Sequence, residues 1–301
     1  MAKKVKPRRK SGAGRSKAAK PRTAVPKKRV VRKLPLFTVD AFTTRRFHGN
    51  PAAIVLLEDG KWLPDETMQA IAAENNLSET AFIRRKGKTG PMAIRWMTPT
   101  VEVDLCGHAT LAAAHVLWNH ANFKGAKIAF SSRSGQLAVT REDGRIVLDF
   151  PALPGRKVAV TNAMCEALGK EPIEAFMAVK LMCVFENRRD VYQLQPDLAK
   201  VARLDCDGVI VTAPGSGHDF VSRYFVPQGG IDEDPVTGSS HCTLAPYWAH
   251  VLGKKHLTAH QTSKRGGELW CEVRGSRVRI GGHAVTVSIG TMLLDADVPV
   301  K

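Results

Sequence analysis

The chain has 301 residues, 44% of them hydrophobic, which allows one large domain or two ordinary ones with a real core and excludes a wholly disordered or fibrous protein. The formal net charge of +17 points toward nucleic acid, but 15 of the Lys and Arg residues lie within residues 1–33, which hold no acid. The rest of the chain carries 30 basic against 28 acidic side chains, so the body is nearly neutral, and with no recognised binding motif it does not read as a nucleic-acid protein.

Residues 1–33 have no aromatic residue and no apolar periodicity, a composition that predicts a disordered tail. Three uses of it stand open: a solvated extension, weak salt-sensitive binding to polyanions, or an organelle-targeting segment, which its Lys- and Pro-rich character fits poorly. No stretch is apolar and long enough to predict a secretory signal or a membrane span. From Leu34 the run LPLFTVDAFTT predicts a strand, FHGNPAAIVLL a turn and a second strand, and DETMQAIAAENN a helix opened by Pro64 and Asp65. LSETAFIRR and MAIRWMTPT follow as strands. ATLAAAHVLWNH is apolar nearly all round and predicts a buried helix, and SGQLAVTREDGRIVLDF a hairpin turning at Asp143-Gly144.

The second half repeats the first. RWMTP (95–99) is echoed by RYFVP (223–227), each followed by a turn and an apolar helix, DLCGHATLAAAHVLW in one case and EDPVTGSSHCTLAPYWAHVLG in the other. GGELWCEVRGSRVRIGG then echoes the hairpin. The spacing of about 130 residues is far too long for a solenoid repeat and predicts two related domains, 34–152 and 153–283, joined at PALPGRK.

Each of the two turns places a glycine, Gly107 or Gly238, at a helix start. Free N–H groups there attract negative charge, and two such starts facing across a cleft would hold a carboxylate and stabilise an enolate. Proton transfer also needs an acid and a base. Glu79, just ahead of the apolar TAFI run, is a candidate whose burial would raise its pKa, against the plainer reading of a solvent-facing acid at a strand start. His108 and Asp234 are the others, each open to a purely structural role. Cys106 precedes Gly107, but the matching turn has no cysteine, which disfavours a two-thiol racemase unless Cys242 reaches the site. The six cysteines form no CxxC pair and no zinc-spaced Cys/His set, so reduced thiols in a cytoplasm, and no metal site, are expected.

The ordered motifs VDAFTTRRFHGNPAAIV, LSETAF, TPTVEVDLCGHATLAAA and FVPQGGIDEDPVTGSSHCTLAPYW resemble those of the phenazine-biosynthesis PhzF-like isomerases, relatives of diaminopimelate epimerase. The resemblance runs from about Leu34 to about Leu294. It implies an α+β fold of two pseudo-symmetric domains, each a curved, mainly antiparallel sheet around a central helix, with a final strand at about 284–296 returning to the first domain. It implies a homodimer and a cofactor-independent isomerase that moves a proton between carbons of a small carboxylic acid. Carried onto this sequence, it makes Glu79, His108 and Asp234 catalytic, and Asn50, Ser78, Gly107, Gly238 and Ser239 substrate-binding. A silent scaffold that binds a small acid or a protein, and a Cys106-dependent racemase or epimerase, are the alternatives.

Overall fold

A computed structural model describes residues 1–2, 31–57, 60–85 and 92–295. Most of the basic tail lies outside the described residues, but Val31, Arg32 and Lys33, counted with it above, are the first residues of a strand. They pair with Asp295, Leu294 and Leu293, because the strand that returns from the other end of the chain is long enough to partner them.

In the first half, β1 (Val31–Ala41) and β2 (Asn50–Leu57) form an antiparallel pair, and α1 (Asp65–Asn75) follows behind Pro64. β3 (Glu79–Arg85) lies parallel to β2, β4 (Met92–Met97) is antiparallel to β3, and the short β5 (Glu102–Val103) folds back on β4. After α2 (Gly107–Asn119), β6 (Lys127–Ser132) runs parallel to β4 and opens a meander through β7 (Gly135–Glu142) and β8 (Arg145–Pro151). Asp143 and Gly144 both have positive φ, 47° and 77°, as a two-residue hairpin turn of primed type demands.

The second half repeats that order. β9 (Arg156–Val158) and α3 (Asn162–Leu168) precede the antiparallel pair β10 (Glu174–Met177) and β11 (Leu181–Val184). After α4 (Arg188–Gln193) and α5 (Leu198–Val201), β12 (Val209–Pro214) runs parallel to β11, β13 (Phe220–Val226) antiparallel to β12, and β14 (Ile231–Glu233) folds back on β13. α6 (His241–Leu252) leads to β15 (His256–Gln261), parallel to β13, and a meander through β16 (Gly267–Arg274) and β17 (Arg277–Gly282).

One pair of contacts makes the repeat concrete. Arg95 on β4 grips Glu102 on β5 through two bonds of 2.7 and 2.6 Å, and Arg223 on β13 grips Glu233 on β14 through two of 2.8 and 2.9 Å. The same fork holds the same fold-back in each half, and each fold-back delivers the chain to a helix start. The sheet-dominated α+β fold, with a central helix in each half, therefore follows from a duplicated unit.

The halves are stitched where β8 pairs antiparallel with β17. The division at 152/153 falls between β8 and β9. The last strand, β18 (Ala284–Asp295), returns from the end of the chain to pair with β1 of the first half, while β9 pairs with β10 within the second.

α2 is buried over most of its surface, with Ala109, Leu111, Ala112, Ala113, Ala114, Val116 and Leu117 in the core. α6 buries Leu244, Ala245 and Trp248. Pro246 sits inside α6 and brings no N–H, which frees the carbonyl of Cys242 one turn back. That carbonyl accepts the Leu153 N–H at 2.9 Å instead, so the linker is pinned where the proline leaves a gap. Among the described residues no helix is long and apolar enough to cross a membrane.

Candidate active site

The two helix starts meet. A Cβ built on Gly107 would lie 3.6 Å from the Cα of Gly238, and one built on Gly238 3.7 Å from the Cα of Gly107. Side chains there would fill the space into which the backbone amides open. The second start differs in detail from expectation: α6 begins at His241, and Gly238–Ser240 form a turn with i→i+3 bonds from His241 to Gly238 and from Cys242 to Ser239. The longer connection before α6 needs that extra turn. The N–H groups of Gly107 and His108 on one side, and of Gly238, Ser239 and Ser240 on the other, take no partner among the described residues. They are the unsatisfied donors that every helix start carries.

A cavity of about 90 Å³ lies between them, lined by Glu79, Leu105, Cys106, Gly107, His108, Phe150, Asp234, Thr237, Gly238 and Ser239. Larger surface hollows of about 290 and 250 Å³ lie elsewhere, by Leu168–Lys170 and by His115–Arg141, and neither brings a carboxyl, an imidazole and two helix starts together. Chemistry, not size, singles out the small one.

Glu79 is the first residue of β3, so its side chain enters the cleft while the strand behind it is buried. Burial, and then the nearby Asp234 carboxylate, push its pKa up to about 8. Its Oε2 lies 3.2 Å from His108 Nε2 but off the line of a good bond, so both buried atoms keep their bonding capacity for a ligand.

His108 is buried in the first turn of α2, and burial lowers its pKa to about 3, so it works as a neutral ring. Its Nδ1 faces the Asn50 amide at 3.3 Å and the Cys106 sulfur at 3.5 Å. The ring also bonds to the Pro51 carbonyl, which accepts a ring N–H.

Asp234 lies seven residues before α6, just after β14. Its Oδ1 accepts from Asn50 at 2.7 Å and its Oδ2 from Thr237 at 2.5 Å. Burial still raises its pKa to about 6, against those two bonds.

Cys106 lines the cavity as the residue before α2, but its thiol is held well above its ordinary pKa by burial and by Glu79. The charge of the helix start does not overcome that. Cys242 is buried in α6, outside the cavity lining, so only one thiol faces the site.

Two expected ligand contacts are placed differently. Asn50 is fully buried behind the cavity, where its Nδ2 donates to Asp234 and to the Val236 carbonyl at 2.9 Å; it orients the site and lines none of it. Ser78 is half-buried in the turn before β3 and also lines none of it, because neighbouring residues of an extended chain point to opposite sides.

Sequence reasoning missed Thr237, Phe150 and Gln261. Thr237 lies inside the quoted DPVTGSS motif. Gln261, fully buried on β15, donates to the Asp234 carbonyl at 2.8 Å and accepts from the Thr237 N–H at 2.8 Å. No local pattern marks it.

Known proteins resemble this chain over most of its length. An uncharacterized isomerase of Pseudomonas aeruginosa is 53% identical over 262 residues, covering 87% of this chain and 99% of that protein. The crystal structure of a phenazine biosynthesis protein PhzF family member from Enterococcus faecalis superposes with a TM-score of 0.84 at 45% identity, covering 87% and 100% of the two chains. A hydroxyproline epimerase from Agrobacterium vitis, 12% identical with a TM-score of 0.56 over 90% and 95% of the chains, shares the fold alone. Residues 39–290 match the PhzC-PhzF family model, and the chain belongs to this family of phenazine biosynthesis-like proteins.

Proposed function

We propose that the protein is an isomerase that lifts a proton from one carbon of a small carboxylic acid and returns it at another, with Glu79 as the base. The observation that carries this reading is the meeting, in one cavity, of a carboxyl group with a raised pKa, a neutral imidazole and two opposed helix starts. The open amides beside Gly107, Gly238 and Ser239 hold the substrate's carboxylate and the negative oxygen that develops when the proton leaves. Glu79 takes the proton and gives it back, so the cycle closes on one residue. His108, a neutral ring beside Glu79, orients the substrate. Asp234, with both oxygens engaged, fixes Asn50 and Thr237 and stays with the framework. The cavity volume admits only the reacting end of the substrate, whose remainder leaves past the exposed Leu105 and Ser239.

The Cys-dependent racemase is the weaker reading, since the single thiol in the cavity is held protonated. The free cysteines and the family's reaction fit a cytoplasmic enzyme.

Incubating the protein in D₂O with a panel of small carboxylic acids tests the reading. At least one acid should gain deuterium on carbon, read by mass spectrometry. An acid that raises the melting temperature without any exchange would instead identify a silent binder.

The rate has a defined pH dependence. Glu79 accepts a proton only as a carboxylate, and its pKa of about 8 lies above the ordinary value of 4.5. At subsaturating substrate the exchange rate should therefore rise about tenfold per pH unit toward pH 8 and level off above it. A profile that is already flat at pH 6 would remove Glu79 as the base.

A further inference from the structure

We infer that Glu79, Cys106 and His108 form a three-ligand site for a thiophilic divalent cation of the Zn²⁺ class, and that occupancy switches the enzyme off. Each residue offers one donor atom, and the three atoms lie within 4.8 Å of one another. They sit at the start of β3, just before α2 and in its first turn, so regular structure holds all three. Sulfur, nitrogen and oxygen donors together suit Zn²⁺ and disfavour Mg²⁺ or Ca²⁺, and three protein ligands leave the fourth position open.

Two further observations point to a cation. Glu79 Oε2 and His108 Nε2 are buried without a hydrogen-bond partner. The cavity lining contains two carboxyl groups and a thiol but no Lys or Arg, so no cationic side chain in the lining opposes a bound metal ion. The site is one-sided, because the position matching Cys106 in the second half of the repeat is Thr237. One ion per chain is therefore expected.

On binding, the Cys106 S–H bond gives way to a sulfur–metal bond and its proton passes to solvent, as does the proton that the Glu79 carboxyl carries below pH 8; the neutral imidazole binds through one ring nitrogen and carries its proton on the other. The ion then occupies the carboxylate oxygen that Glu79 uses to take the substrate proton. Only this inhibitory half rests on the isomerase reading.

Co²⁺ serves as the spectroscopic probe on the reduced full-length protein. Titration should give one ion per chain with a thiolate-to-cobalt band in the near ultraviolet, displaced by Zn²⁺ and untouched by Mg²⁺. Cys106→Ser, which keeps the size of the side chain, should abolish that band. On the unmodified protein, Zn²⁺ should suppress labelling of Cys106 by a small thiol reagent, mapped by mass spectrometry, and leave Cys165 and Cys206 labelled as before. A band that survives in Cys106→Ser, or Cys106 labelling unchanged by Zn²⁺, would overturn the site. In the D₂O assay, Zn²⁺ at about ten times its dissociation constant should cut exchange about tenfold, reversed by chelation. Binding with undiminished exchange would overturn the switch. The spectroscopic arm needs no substrate, so the site is judged apart from the isomerase reading.

Discussion

Glu79→Gln should lower carbon-bound proton exchange by about 10²–10⁴-fold, the usual worth of a well-placed general base, and leave the fold intact. The substitution keeps the size of the side chain and an oxygen that can face His108. It removes only the ability to take up a proton. The stability of the variant makes the test specific. Glu79 has a folded-state pKa of about 8 against an ordinary 4.5, so the native protein keeps a proton there that the unfolded chain gives up between those values. Wild-type stability that is present below pH 4.5 is therefore lost as the pH rises toward 8. Glutamine does not titrate. The melting temperature of the variant, relative to wild type, should climb across that window and stay constant above it. Loss of exchange together with a rising melting-temperature difference identifies a buried base. Exchange that persists in the variant ends the assignment, and a uniformly lower melting temperature would mean that Glu79 is a structural acid.

How much of this could be read from the sequence depends on how local each cause is. α1, α2 and the Asp143-Gly144 turn were legible because propensity, periodicity and turn chemistry act within a dozen residues. The opposed glycines were legible because the repeat sets two copies of one strand–turn–helix unit side by side in the text. The cost of burying Glu79 was legible in outline from the TAFI run after it. The supporting layer was not. Gln261 and Asn50 look like any polar residues at strand ends, yet both are fully buried and bonded to groups 24 to 186 positions away. Nothing local marks such a partner. The role of Asn50 shifted for the same reason: the motif locates it at the site, but only the tertiary contacts put it behind the cavity wall. The pairing of β8 with β17 joins segments about 130 residues apart, and each hairpin alone would pattern identically without it.

The clasp that holds Asn50 in place leads to the second large effect. Asp40, near the end of β1, is 1% exposed and pairs at 2.7 Å with Arg265 from the loop before β16. Arg265 also donates to the carbonyls of His48 at 3.0 Å and Gly49 at 2.8 Å, and the Gly49 N–H donates to the Gly266 carbonyl at 2.7 Å. Gly49 has φ 65°, and a Cβ there would lie 2.1 Å from the Ala41 carbonyl oxygen, so the turn accepts only glycine. One arginine thus straps the turn that leads into Asn50 onto the other half of the molecule. Arg265→Ala should destabilise the fold by about 3 kcal/mol, the low end of the range for breaking a buried pair, because the arginine itself is 30% exposed. For a chain of this size that lowers the melting temperature on the order of 5–10 °C. Adding Asp40→Asn removes the stranded charge and should recover part of the loss, which simple removal of surface would not. Exchange activity should fall in Arg265→Ala even below its melting temperature, as Asn50 loses the support that aims His108 and Asp234. A change in stability within about 0.5 kcal/mol would class the pair with ordinary surface ion pairs and leave the placement of Asn50 to β2 alone.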